Sequence, residues 1–352
     1  MPRLLIAASG TGGHIYPALS FAESLSNSWE IEWLGVPNRL EIKLVPKKYK
    51  LTKIKVGGLQ GNIFRKIFAL SNLVLASIRV SVLLRQRNIN VIFTTGGYIS
   101  APTILAAKIN GIPILLHESN AIPGKVTRLL GRFCDHIALG IPLASKYLKG
   151  CRTSLTGTPV RPEFFLDQSL PHWVPQGEGL LIVVMGGSQG AIKMNEMVRN
   201  ILPWLLEKGC RVIHLTGQND CFYKNFNKLN NHANLVTRQF SNEISAILQN
   251  ADLAISRSGS GAISELMVTK TPSILIPYPT SADQHQELNA AFMAGYGGAV
   301  IVHQHDANKH ILKKTISTLI DSNSLNEMKS NMNNCDYINS ELKILDILNS
   351  IS

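Results

Sequence analysis

Acidic residues are scarce in this chain: 23 Asp and Glu stand against 35 Lys and Arg, a formal net charge of +12. The imbalance draws the protein to polyanions, whether nucleic acid, anionic lipid headgroups or phosphorylated substrates, without choosing among them. Cysteine is scarcer still. The five cysteines (Cys134, Cys151, Cys210, Cys221, Cys335) are odd in number and show no C-x-x-C spacing, which argues against a disulfide framework and a zinc site and fits a reducing compartment. No D-x-D triplet occurs, and no His/Cys cluster offers metal-ligand spacing. The interleaving of basic and aromatic residues typical of nucleic-acid surfaces is missing too, so no nucleic-acid partner is expected. The start, MPRLLIAASGTGGH, runs straight into glycines with no small-residue cleavage pattern, and no secretory signal is expected. The longest apolar run, Ile67 to Leu84, carries Asn72 and Arg79 inside it and predicts a helix that does not cross a bilayer.

What the chain does have is enough apolar residue for two cores: 352 residues, 45% hydrophobic and 16% charged. Two segments look alike, RLLIAASGTGG at the start and GLLIVVMGGSQGA from Gly179, each an unbroken apolar run ending in glycines before a helical pattern. Unbroken runs suit parallel strands covered on both faces, so each copy begins a doubly wound sheet. Further strands are expected at 31–34, 51–56, 91–94, 112–117 and 136–139 in the first half. The second half offers 212–216, 234–239, 253–256, 273–276 and 299–302. With helical patterns between most of them, this is α/β. Prolines and glycines break every period from Gly157 to Gly179, which predicts a coreless linker. Domains are expected over 1–160 and 161–335, with a helical tail over 336–352 whose packing partner spacing leaves open.

The loops Gly10-Gly12-Gly13 and Gly186-Gly187-Gly190 each follow a strand and open a helix, where backbone N–H groups and the helix dipole favour an anion. Glycines there also serve tight packing alone, and both readings stand for either loop. GTGGH and GGSQGA depart from G-x-G-x-x-G, and the second strand ends LGVPN without an acidic tip, which disfavours NAD. A third cluster, SRSGSGAISE from Ser256, places Glu265 inside the next helix, where a carboxylate can accept from both hydroxyls of a ribose or simply complement the helix dipole.

Seven motifs in order, SGTGGHIYPA from Ser9, GGYISAP from Gly96, HESNAIPGK from His117, GTPVRPEF from Gly157, MGGSQGA from Met185, SRSGSGAISE from Ser256 and DQHQELNA from Asp283, resemble the MurG family of bacterial N-acetylglucosaminyltransferases across nearly the whole chain. The resemblance implies a GT-B fold, two Rossmann-like doubly wound parallel-sheet domains facing a cleft. It implies inverting transfer of N-acetylglucosamine from UDP-N-acetylglucosamine to the C4 hydroxyl of the N-acetylmuramoyl group of undecaprenyl-linked lipid I, giving lipid II, with no cofactor. It carries donor contacts to Thr11, Gly12, Gly13, Asn120, Arg161, Ser188, Glu265 and Gln286. Two positions depart from the family pattern. Ser119 stands where glutamine is common and Ala262 where threonine is, so a phosphate hydroxyl is sought at Ser260 or Ser264 instead.

Inverting transfer needs a base on the acceptor hydroxyl and stabilisation of the departing diphosphate. His14, at a helix start after the first glycine loop, is the candidate base, although it also suits a role as a hydrogen-bonding group only; His117 and Glu118 are the alternates. Without a metal-ligand set, the leaving charge falls to helix dipoles, Ser188 and Arg257 or Arg161, a metal-independent scheme. The residues from Arg65 to Arg87 are apolar apart from the stripe Arg65, Asn72, Arg79 and Gln86. A buried helix showing solvent one stripe explains this, as does an apolar surface near Phe64, Phe68 and Leu75, flanked by Arg65, Lys66, Arg85 and Arg87, resting on anionic lipid. The second reading places the protein peripherally on the cytoplasmic face of the bacterial plasma membrane. A UDP-N-acetylglucosamine 2-epimerase and a non-catalytic nucleotide-sugar or lipid-binding protein are the competing functions.

Overall fold

A computed structural model describes residues 1–25, 28–56, 63–220, 232–334 and 339–352, apart from the side chains of 63–68, 282 and 334. Cys221 and Cys335 lie outside the described residues, as do the side chains of Phe64, Arg65, Lys66 and Phe68. The chain divides into two compact units, Met1–Arg161 with Asn339–Ser352, and Pro162–Ile338.

The first unit holds strands β1 (Arg3–Ala7), β2 (Glu30–Gly35), β3 (Lys50–Lys53), β4 (Val91–Thr94), β5 (Ile114–Glu118), β6 (His136–Leu139) and β7 (Thr153–Leu155). They form one parallel sheet in the order β3-β2-β1-β4-β5-β6-β7. Helices cover both faces, and β1 shows why its sequence is unbroken: Leu5 and Ala7 join one buried cluster while Leu4 and Ile6 join the other. The final helix, Ser340–Ile351, belongs to this unit, with Ile344 and Leu348 fully buried among Phe21, Trp33 and Leu115. Strand β7 escapes prediction because Thr-Ser-Leu carries little apolar signal and sits half-exposed at the sheet edge.

The second unit holds β8 (Leu181–Met185), β9 (Arg211–Leu215), β10 (Leu235–Arg238), β11 (Leu253–Ser256), β12 (Ser273–Leu275) and β13 (Ala299–Ile301), all parallel, in the order β10-β9-β8-β11-β12-β13. The expected linker is only partly one. From Pro162 onward it packs into this unit, with Phe164 and Val174 buried and Gln249 Nε2 donating to the carbonyls of Phe164 (3.0 Å) and Leu166 (2.8 Å). Isolated anchors between prolines leave no period to detect.

In each sheet the strand order reverses once, between β1 and β4 and between β8 and β11. Loops leaving the carboxyl ends of strands at such a reversal splay apart and leave room for a ligand. The Ser9–His14 and Thr95–Gly97 loops flank the first reversal, and the GGSQGA and SRSGSG loops flank the second.

Candidate active site

In the first unit, β1 delivers the chain into the helix Gly12–Ser24, with Thr11 extended at its cap and its exposed hydroxyl making no capping bond. Gly12 is needed for packing: a Cβ there would lie 2.9 Å from the Tyr16 ring, over which the Arg161 guanidinium sits at 4.9 Å. Gly13 and His14 complete the helix start. His14 Nδ1 lies 2.6 Å from the Thr95 carbonyl oxygen, and a carbonyl can only accept, so the proton sits on Nδ1 and the neutral ring keeps its lone pair on Nε2. The ring stands over the Gly96–Gly97 turn, where a Cβ on either glycine would come within 3.7 Å of it.

The alternates to His14 are both committed to the framework. His117 is fully buried, with Nε2 3.1 Å from the Gly157 carbonyl and Nδ1 facing the Ser119 hydroxyl at 3.3 Å; burial pulls its pKa down to about 4. Glu118 accepts from the Asn120 backbone (3.1 Å) and side chain (3.2 Å), the Gly124 N–H (3.0 Å) and the Thr127 hydroxyl (2.9 Å). It builds the loop that presents Asn120. Ser119, at the position departing from the family pattern, spends its hydroxyl on His117.

In the second unit, Ser188 is exposed in the loop after β8, with Gly187 and Gly190 at φ of +80° and +84°. That loop is pressed against the one following β9, where a Cβ on Gly217 would fall 2.1 Å from the Gly190 Cα, so only glycines permit the approach. Asn195 locks the two together, donating to the Thr216 carbonyl (2.8 Å) and to Asp220 (2.6 Å), which also pairs with Arg199 (2.7 Å). Neither Thr95 nor this network is legible beforehand: the first acts through a main-chain oxygen, and the second joins polar residues that periodicity treats as surface.

Glu265 lies half-buried on the helix Ser260–Val268, past its first turn. The loop before that helix is pinned to the helix His285–Gly295: Ser258 Oγ donates to the Gln286 carbonyl (2.8 Å) and the Asn289 amide donates to the Ser258 carbonyl (3.1 Å). Gln286 accepts on Oε1 from the Tyr278 N–H at 3.0 Å, which fixes its side-chain amide against the loop before the helix. Two expectations change here. Ser264 back-bonds to the Ser260 carbonyl at 3.0 Å within the helix and is buried, so it does not replace a hydroxyl at Ala262. Arg257 is buried and donates to the carbonyls of Ile276 (2.9 Å) and Pro277 (3.1 Å) and to Gln304 (2.6 Å); burial lowers its pKa to about 10, so it stays charged beneath the loop rather than reaching out of it.

On the helix Ile63–Gln86, the residues Ala76, Val80, Leu83 and Leu84 are buried, but Leu70, Val74, Leu75, Ile78 and Val82 are each about half exposed. Solvent therefore meets an apolar face as well as the polar stripe. Arg79 and Arg85 are exposed, Arg85 donating to Asn110 (2.5 Å), whereas Arg87 is spent on Glu32 and Thr52. Among the described residues no helix is long and apolar enough to cross a membrane, and no group of three His, Cys, Asp or Glu side chains is placed to hold a metal ion.

Residues 4–139 match the glycosyltransferase family 28 N-terminal domain and residues 181–343 its C-terminal domain. A Prochlorococcus marinus (strain NATL2A) protein named UDP-N-acetylglucosamine–N-acetylmuramyl-(pentapeptide) pyrophosphoryl-undecaprenol N-acetylglucosamine transferase is 76% identical over 352 residues, with 100% of both chains covered. The chain belongs to glycosyltransferase family 28. Among solved structures, Acinetobacter baumannii MurG superimposes with a TM-score of 0.81 at 26% identity, covering 99% of this chain and 100% of that one. The family 28 chain is thus a GT-B hexosyltransferase, with one glycine loop at the strand reversal of each unit. A Listeria monocytogenes protein described as a putative UDP-N-acetylglucosamine 2-epimerase also superimposes, TM-score 0.70, over 99% of this chain and 96% of that one, but at 14% identity this likeness shows the fold alone. The epimerase reading is not favoured.

Proposed function

We propose that this chain transfers N-acetylglucosamine from UDP-N-acetylglucosamine to the C4 hydroxyl of the N-acetylmuramoyl group of lipid I, with inversion, forming lipid II. The observation that carries the reading is 76% identity, over the full length of both chains, to a transferase named for that donor and acceptor. The second unit takes the donor. Its diphosphate rests on the Gly186–Gly190 amides and Ser188, Glu265 accepts from the ribose hydroxyls, and Gln286 meets the sugar. The first unit takes the acceptor at His14, while its Thr11, Gly12, Gly13, Asn120 and Arg161 contribute contacts to the donor.

His14 Nε2 removes the proton from the C4 hydroxyl as its oxygen bonds to the sugar C1, while the bond from C1 to the phosphate oxygen breaks and UDP departs with the electron pair. The imidazolium that forms keeps its Nδ1–H on the Thr95 carbonyl, so the ring holds its direction through the step. Backbone amides, Ser188 and Arg161 stabilise the departing diphosphate.

The exposed apolar face of the helix Ile63–Gln86, with Arg79 and Arg85 beside it, supports contact with anionic lipid at the cytoplasmic face of the membrane, where the polyprenyl tail of the acceptor is anchored. The test of the whole reading is UDP release. It should require a short-chain lipid I analogue, and label from the donor incubated alone should not enter N-acetylmannosamine; the opposite pair of results would support an epimerase.

A further inference from the structure

Glu41 is fully buried, yet its carboxylate faces no basic side chain among the described residues. It sits on the single turn Glu41–Leu44, a few residues beyond β2. Its contacts all run to loop ends. Oε1 accepts from the Ser9 hydroxyl (2.5 Å) and the Val36 N–H (2.7 Å), and Oε2 accepts from the Gly10 N–H (3.3 Å). Room for it is made at the end of β2, where a Cβ on Gly35 would lie 2.8 Å from the Glu41 Cγ. Burying a carboxylate without a counter-ion carries a desolvation cost that hydrogen bonds only partly offset, and an apolar residue would fill the same space more cheaply.

We infer that Glu41 is a positioning residue: it holds Ser9 and Gly10, and through them sets the helix start that carries His14. The stretch from Ser9 to His14 is tethered at two points, by Glu41 at its beginning and by the Thr95 carbonyl at its end. Gly10, at φ +107°, directs its N–H onto the carboxylate.

This inference rests on the reading of His14 as the base, and a double-mutant cycle separates the two. In the full-length enzyme, Glu41→Gln keeps size but puts N–H donors where an acceptor is needed. It should lower kcat by on the order of tenfold to a hundredfold, the range for a displaced catalytic group, while UDP affinity, which the Ser188 and Glu265 segments of the second unit carry, stays near the parental value. In the His14→Ala background the same change should cost less than about twofold, because the group it positions is already gone. Should Glu41→Gln fail to fold by circular dichroism, Ser9→Ala removes one tether with the charge left in place and is carried through the same cycle. An equal fold-loss in both backgrounds, or a parental kcat for the variant that folds, overturns the assignment of Glu41. A parental kcat for His14→Ala instead overturns the base.

Discussion

His14 and Thr95 are joined twice: the ring Nδ1 donates to the Thr95 carbonyl at 2.6 Å, and the Thr95 hydroxyl donates back to the His14 carbonyl at 2.9 Å. The clasp links the loops leaving β1 and β4 across the strand reversal of the first sheet. It fixes the tautomer and the ring direction together, which is what separates a base from a histidine that merely lies nearby. His14→Ala should therefore cut turnover by roughly a hundredfold or more while UDP binding, measured calorimetrically, is nearly unchanged. Normal turnover in that variant would remove His14 from the mechanism.

Acid should weaken both units, because each buries a neutral histidine. Burial lowers His117 from the ordinary 6.5 to about 4 and does the same to His214, where the Arg199 charge adds to it. Between pH 6.5 and 4 the unfolded chain binds protons that the folded chain refuses, so stability is full above 6.5 and is lost as pH falls, by on the order of 3 kcal/mol per histidine at most. Thermal midpoints measured from pH 7 to 4.5 should drop, and His117→Gln should flatten part of that slope. Midpoints independent of pH across the window would contradict the burial argument.

Glu265 offers a test that needs no lipid. If its carboxylate accepts from both ribose hydroxyls, Glu265→Ala should weaken UDP binding by about 1–3 kcal/mol. A 2′-deoxy nucleotide should show much of that penalty with the parent protein and little with the variant, since the contact is already absent. An unchanged deoxy penalty would place the ribose elsewhere.

Much of the fold is legible in the sequence for a physical reason visible in β1 and β8: strands covered on both faces must be apolar at every position, and glycines must follow where two loops meet, as at Gly190 and Gly217. The residues that escape detection act through features that composition does not encode. Thr95 contributes a carbonyl, Glu41 looks like an ordinary surface glutamate in PNRLEIKL, and Ser264 carries the right hydroxyl but turns it back into its own helix. Arg87 belongs to an apparently basic flank, yet its charge is absorbed by Glu32 from β2.

The membrane contact should follow the exposed residues of the helix Ile63–Gln86. Val74→Ser with Ile78→Ser, both about half exposed, should leave the thermal midpoint nearly unchanged while weakening binding to anionic vesicles. Binding by the parent should fall as salt rises, because the Arg79 and Arg85 contribution is screened. Parental binding by the double variant would show that this face does not meet lipid.

Sugar transfer to the lipid acceptor can be followed directly. The full-length protein is incubated with UDP-N-acetylglucosamine labelled in the sugar and a short-chain lipid I analogue, and the lipid fraction is analysed for a disaccharide. Label should appear there in a β-1,4-linked N-acetylglucosaminyl-N-acetylmuramoyl product, in step with released UDP. Label confined to water-soluble material, whether as free sugar, epimer or unreacted donor, would contradict the account.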